Sequence, residues 1–335
     1  MIASGPLQLF RADFPNGKAK GVQMARFNRL DPTQWSQIRR SLTRLFDPCQ
    51  LCPRMCSAPR SRGGTGACGA GGMAKVASHT LHHGEEPPVS GYRGSGTVFF
   101  SGCTLRCVFC QNYPISQLGH GQTYDRDRLA ESMLSLQKKG AHNINLVSPT
   151  PFLPQIVEGL QAAAEAGLHI PVVYNTSGYE RVEVMGLLDG IVDIYLPDIK
   201  YVDAHLAQRL SGVTDYAEHA LTAVAEMWRQ CGKLKRNPRG VGVSGLIVRH
   251  LILPGLAEHS KRVLEAISRT PFRSAHLSLM SQFFPAHRAA DYGINRRLRP
   301  DEYAEVQSYA VGLGFKHGWF QELDIPTQSL GETDG

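Results

Sequence analysis

The sequence predicts an α/β protein, in which repeated β-helix-β units build a parallel sheet behind an N-terminal Cys-rich metal-binding module. Three observations predict it. Short apolar runs alternate with helical patterns from about residue 95 onward, the preceding stretch 49–94 is rich in Cys, Gly, Pro and Arg with little periodicity, and seven of the eight cysteines fall between positions 49 and 110. A length of 335 residues suits one α/β barrel with an appendage, since such barrels run to ~250 residues as one domain. With 42% hydrophobic and 19% charged residues, 34 Gly and 20 Pro, a disordered chain, a collagen and a coiled coil are excluded.

Taken in order, residues 1–48 form an N-terminal arm with few patterns, 49–94 the Cys-rich module, 95–320 the barrel and 321–335 a tail. Within the barrel region the apolar runs Val98–Phe100, Ile144–Val147, Val172–Tyr174, Val192–Leu196, Leu246–Leu253 and His276–Met280 are six expected strands. Between the first two, Leu129, Met133 and Leu136 recur at helical spacing after Asp125, and Gly140 marks a stop. Ile156, Leu160 and Ala163 repeat the pattern before Gly167. Such crossovers demand parallel strands, in a partial barrel or a doubly wound sheet, and in either the function sits at the strand C-termini.

No apolar run approaches the ~18 residues of a membrane helix, and the N-terminal MIASGPLQLFRADF lacks a basic segment followed by a long apolar one. A cytoplasmic protein with no membrane partner is the expectation. The formal charge of +7 suits an acidic partner, yet the basic residues are dispersed in small groups at Arg39, Arg40 and Arg44, at Lys233, Lys235 and Arg236, and at Arg296, Arg297 and Arg299. Solvated faces account for most of them.

The chemistry concentrates in two cysteine sets. In T97-V-F-F-S-G-C-T-L-R-C-V-F-C110, Cys103, Cys107 and Cys110 follow the first strand with C-x3-C-x2-C spacing. Three thiolates leave one iron of a four-iron cluster without a protein ligand, as a catalytic zinc keeps one position open. The second set, Cys49-x2-Cys52-x3-Cys56-x11-Cys68, has the four thiols of a closed site and Pro53, Gly63, Gly64 and Gly66 for tight turns. Tetrahedral zinc and a second iron-sulfur cluster both satisfy it. Cys231 stands alone in a helical pattern and reads as a core thiol. GGTGACGAGG lacks the Gly-Lys-Ser/Thr of a phosphate loop.

The cysteine spacing, with Phe109 just before the last Cys, resembles the cluster motif of the radical S-adenosylmethionine (SAM) superfamily. More narrowly, SGCTLRCVFCQNYPIS, NLVSPTPFLP, VVYNTSGYE, VDIYLPDIKY, IVRHLILPG and SLMSQFFP look like the subgroup related to pyruvate formate-lyase activating enzyme. The resemblance implies a partial (β/α)6 barrel of the radical SAM type. It also implies a 4Fe-4S cluster on Cys103, Cys107 and Cys110, S-adenosylmethionine chelated at the open iron, and one-electron cleavage to a 5′-deoxyadenosyl radical. A reducing donor such as flavodoxin or ferredoxin is then required.

Other strand ends complete the expected cofactor pocket. Ser148 and Thr150 stand where the superfamily often has Gly-Gly-Glu, and Asn175 and Thr176 resemble an activase Asp-Thr-Asn-Gly stretch with Asn replacing the acid. Asp198 and Lys200, in PDIK, resemble an acid and a lysine beside the cofactor. One of Arg249 and His250 should point into the barrel, because they interrupt an apolar run, and Gln282 is a further polar strand end. The leading function, implied by the resemblance to the activases, is hydrogen abstraction from a glycine of a glycyl-radical protein. Alternatives are radical chemistry on a small molecule or on RNA, to which the basic loop Lys233–Arg239 would contribute, and a non-enzymatic zinc-bound nucleic-acid module.

Overall fold

The computed structural model describes residues 7–9 and 24–323. In chain order the elements begin with β1 (Leu7–Leu9), α1 (Pro32–Phe46), β2 (Ala74–His82), α2 (Pro87–Ser90), β3 (Ser95–Phe100), α3 (Tyr113–Ser116) and β4 (Gln122–Tyr124). Next come α4 (Arg126–Lys138), β5 (Ile144–Val147), α5 (Leu153–Glu165), β6 (Val172–Thr176), α6 (Val182–Gly186) and β7 (Ile194–Pro197). The chain continues through α7 (Ala204–Ser211), α8 (Tyr216–Cys231), β8 (Lys235–Arg236), β9 (Gly242–Leu251), α9 (Ala257–Ser268), β10 (His276–Met280), α10 (Pro300–Gly312) and β11 (Gly318–Gln321).

One sheet runs in the order β1-β11-β10-β9-β7-β6-β5-β3-β2-β4, with β8 paired to β9. From β3 to β11 every neighbouring pair on this path is parallel, while β2, β4, β1 and β8 join it antiparallel. The fold is therefore mixed α/β with a parallel-rich sheet. All six expected strands lie in it. A further parallel strand, β11, escapes the sequence reading because its four residues GWFQ carry no turn-bounded apolar run.

The helices follow the spacing that predicts them. Leu129, Met133 and Leu136 of α4 and Ile156, Leu160 and Ala163 of α5 are all buried, the larger ones contributing roughly 1.5–3 kcal/mol each by leaving water. Asp125 caps α4, accepting a hydrogen bond from Arg128 N at 2.9 Å, and Gly140 and Gly167 end the helical stretches at φ +89° and +98°. Gly159 lets α4 and α5 approach closely, since a Cβ there would sit 2.7 Å from Leu129 Cβ.

The N-terminal segments do not stand apart from this sheet. Asp31 and Gln34 form a reciprocal capping box on α1, which packs against α5. β2 pairs with β3 from Val76↔Phe100 to His82↔Ser95, so the expected boundary at 94/95 runs through a hairpin. Cys49, Leu51, Ala58 and Cys68 share one apolar core with Val98, Ile144 and Leu160. Most of the expected tail lies outside the described residues, and position 321 itself ends β11.

Candidate functional site

β3 delivers the chain into the loop that carries the first cysteine set. Ser101 N donates to Lys75 O at 2.8 Å, and Cys103 N donates to Cys68 O at 3.2 Å. Between them Gly102 has φ +95°, and a Cβ there would lie 2.9 Å from the same Cys68 oxygen, so only glycine fits without strain. Cys110 N then closes a turn on Cys107 O at 3.2 Å, and Val108 N is anchored to Leu210 O at 2.9 Å.

These thiols lie against an apolar shell formed by Leu105, Phe109, Tyr201, Leu253 and Phe283. The Phe109 and Phe283 ring centroids are 6.1 Å apart. Ser211 Oγ donates to Cys107 Sγ at 3.0 Å, and Cys110 Sγ lies 3.2 Å from Ser116 Oγ. Burial pushes the Cys107 thiol up to about 12, while the nearby Lys200 ammonium opposes it. Cys110 is raised chiefly by burial as well. Without a bound cation these two thiols hold their protons at neutral pH, so cation binding must release them.

A polar network occupies the neighbouring strand ends. Lys200 Nζ donates to Asp198 Oδ2 at 2.6 Å, and Arg249 Nε donates to Asp198 Oδ1 at 3.0 Å. Arg249 also reaches Asn175 Oδ1 at 2.6 Å and Glu85 Oε2 at 3.2 Å, while Asn145 and Asn175 both donate to Glu85 Oε1. Burial opposes the Asp198 charge, but Lys200 and Arg249 outweigh it and hold the carboxyl below its usual range. Lys200, disfavoured by burial, is raised on balance by Asp198 and Cys107. Asn145 Oδ1 and one oxygen of the buried Glu86 have no partner among the described residues.

Of the pair interrupting the apolar run, Arg249 joins this network, whereas His250 bonds Ile199 O at 2.7 Å and Ser260 Oγ of α9 at 2.9 Å. Burial lowers His250 to about 4, so it stays neutral as a core histidine. Thr150 and Thr176 turn their hydroxyls to Glu180: Thr150 Oγ1 donates to Glu180 Oε1 at 2.6 Å and Thr176 Oγ1 donates to the same atom. Sequence reading missed Glu180. Its only signal was an acid closing the polar stretch NTSGYE after a strand.

The remaining expected residues fall nearby with other partners. Ser148 holds φ +55°, a strained value for a residue with a side chain, and its N donates to Asn175 O at 2.9 Å. The Gln282 side chain accepts from Gln321 Nε2 at 2.9 Å, while its carbonyl accepts from Gln111 Nε2 at 2.8 Å, which ties β10 to the cysteine loop. Cys231 receives Arg26 Nη1 at 3.3 Å, far along the fold from the loop. The basic stretch Lys233–Arg239 pairs with the start of β9, the end of the sheet opposite the cysteine loop.

A family model described as the Radical SAM superfamily matches residues 97–233. A protein of Methanocaldococcus jannaschii, named Uncharacterized protein MJ0674, is 30% identical over 313 residues, covering 90% of this chain and 84% of its own length. The chain belongs to the radical SAM superfamily. Solved structures similar to it include Streptococcus suis SuiB bound to precursor peptide SuiA, at 10% identity and a TM-score of 0.46, covering 66% of this chain and 46% of that one. Another is native anSMEcpe with bound AdoMet, at 14% identity and a TM-score of 0.44, covering 63% and 57%. This chain thus spans less than half of SuiB.

Membership of the radical SAM superfamily makes the chain an enzyme, which sets aside the non-enzymatic nucleic-acid reading, and implies a 4Fe-4S cluster and S-adenosylmethionine. The residues present fit that donor chemistry. Three thiols share one loop, Lys200 supplies positive charge beside Cys107, and Asn145 Oδ1 is a buried acceptor with no partner among the described residues. None of the described helices is long and apolar enough to cross a membrane.

Proposed function

We propose that this radical SAM chain cleaves S-adenosylmethionine reductively and abstracts hydrogen from a protein substrate, with a glycyl-radical protein as the favoured partner. The observation that carries the reading is the placement of Cys103, Cys107 and Cys110 in the loop after β3, with Lys200 beside Cys107. In this reading the three thiolates hold the 4Fe-4S cluster, and the sheet is a partial (β/α)6 barrel with the site at its strand C-termini. When bound and reduced by a flavodoxin- or ferredoxin-class donor, the cluster supplies the electron that breaks the S–C5′ bond.

The chain's own residues hold and shield the reactants. Arg249 and Lys200 keep Asp198 ionised and fixed at the strand end, so its carboxylate is placed before a ligand arrives. Asn175, held by Arg249 and Glu85, presents a rigid amide on the adjoining strand. Phe109 and Phe283, both buried, form an apolar wall beside the cysteine loop. The activase-like strand ends NTS and PDIK support the protein-substrate reading.

Replacing Cys107 with Ala is expected to abolish 5′-deoxyadenosine formation from S-adenosylmethionine under reducing, anaerobic conditions, and full turnover by that variant would sink the assignment. The substrate is tested by mixing reduced enzyme and cofactor with glycyl-radical proteins. A glycyl doublet in electron paramagnetic resonance is the expected result.

A further inference from the structure

The second cysteine set lies outside the site described above, and the fold has built a charged environment for it. Cys49, Cys52 and Cys68 are buried and Cys56 is exposed. Cys49 and Cys56 are in side-chain contact, and a Cβ on Gly66 would lie 3.2 Å from Cys56 Sγ and 3.4 Å from Cys68 Sγ. Any larger residue at 66 would press on both sulfurs. Backbone N–H groups donate toward the thiols in a repeated pattern, from Arg54 to Cys52, from Ala58 and Ala67 to Cys56, and from Ala70 to Cys68. Such donors favour the thiolate and hold Cys56 down, although burial outweighs them at Cys52 and Cys68 and leaves those two thiols raised.

The second observation is Arg60, whose side chain is almost wholly buried at 1% exposure. It stacks over the Phe46 ring at 4.2 Å and the Phe152 ring at 5.5 Å. Its polar partners are Gly71 O, Pro151 O and Cys49 Sγ, the last at 3.8 Å, with no carboxylate among them. A buried cation is expensive unless an anion answers it. Of its hydrogen-bond partners among the described residues only Cys49 can become an anion, and its charge also acts on Cys68.

We propose that Cys49, Cys52, Cys56 and Cys68 hold a second, anionic four-thiolate metal centre, with Arg60 as its buried counter-charge. Both a 4Fe-4S cluster and a tetrahedral zinc ion on four thiolates carry net negative charge. Among the described residues no three Cys, His, Asp or Glu side chains yet close on one ion position, so binding draws the sulfurs inward. Cys56 is the exposed member of the set. The centre is also the seat of the catalytic loop, because the Cys68 carbonyl accepts from Cys103 N and packs against Gly102.

The test is the full-length Cys103→Ala, Cys107→Ala, Cys110→Ala triple variant, purified anaerobically and assayed for iron, acid-labile sulfide and zinc. Expected is one retained metal centre, either about four iron with sulfide or about one zinc, lost on adding Cys49→Ala and Cys52→Ala. The two retained signals identify the metal. A triple variant that is folded by circular dichroism yet free of stoichiometric metal overturns the proposal. Cofactor cleavage by the unaltered enzyme in that case leaves the radical assignment standing, so the two failures are separable. In the triple variant, Arg60→Met should lose metal to a chelator at least tenfold faster while Arg60→Lys stays near the parent rate, and equal rates for Arg60→Met and the parent would remove the counter-charge role.

Discussion

Asp198 stands between two half-buried cations, Lys200 and Arg249, and its removal leaves both without their nearest anion. Taking one partner from a buried ion network typically costs about 3–5 kcal/mol, because the stranded charge cannot be rehydrated. Asp198→Asn should therefore lower unfolding free energy by about 3 kcal/mol and weaken S-adenosylmethionine binding as well. Denaturant melts would check the first effect, and a loss below about 1 kcal/mol would mean that Glu85 answers Arg249 alone. Glu180 carries a pH signature of the opposite sign from that of Asp198. Burial raises it to about 7, against the hydrogen bonds from Thr150 and Thr176, so the folded state prefers its protonated form. Its contribution is fully present below about pH 4.5, falls as pH rises toward 7, and is then spent, a change of about 3 kcal/mol. Glu180→Gln should flatten that part of the stability profile, measured between pH 5 and 7.5 relative to the parent. Parallel profiles would show that the carboxyl is solvated in practice.

At the scale of elements, close helix approach decides more than helix propensity. Gly159 lies inside α5, where Ala would be the better helix former by about 1 kcal/mol, yet its Cβ would meet Leu129 Cβ at 2.7 Å and Arg126 O at 3.3 Å. Gly159→Ala should therefore destabilise by about 1–3 kcal/mol through overpacking, read as a lowered denaturation midpoint at unchanged slope. A gain in stability would mean that α4 and α5 slide apart freely. The apolar spacing of α4 and α5 was legible because one face of each is buried along its length. The α1 capping box was equally written in Asp31-Pro-Thr-Gln34 but stood in a stretch without apolar punctuation, where it was passed over.

At the scale of the molecule, the Cys-rich stretch is part of the sheet's support rather than an appendage. β2 covers the edge of β3 along six paired positions, and Ala58, Ala70, Ala74 and Val76 share its core. A chain beginning at residue 95 would bare that edge together with Val98 and Phe100, an invitation to aggregation. Such a truncation is expected to show no cooperative thermal transition by circular dichroism. A sharp melt near that of the full chain would instead restore the two-module picture of the first 94 residues.

The sequence by itself determined the alternation of strands and helices, the cysteine trio and its place after the first strand, and the intrusion of Arg249 into an apolar run. These are local patterns, because periodicity and spacing are properties of neighbours along the chain. Only the tertiary structure decided which way each polar strand end turned. Thr150 and Thr176, which as sequence promise free hydroxyls, are claimed by Glu180, and His250 turns to Ser260 while Arg249 bridges Asp198, Asn175 and Glu85. Arg249 and Glu85 lie 164 residues apart. No local pattern encodes such a contact, since a buried charge is answered by whatever group the fold brings beside it.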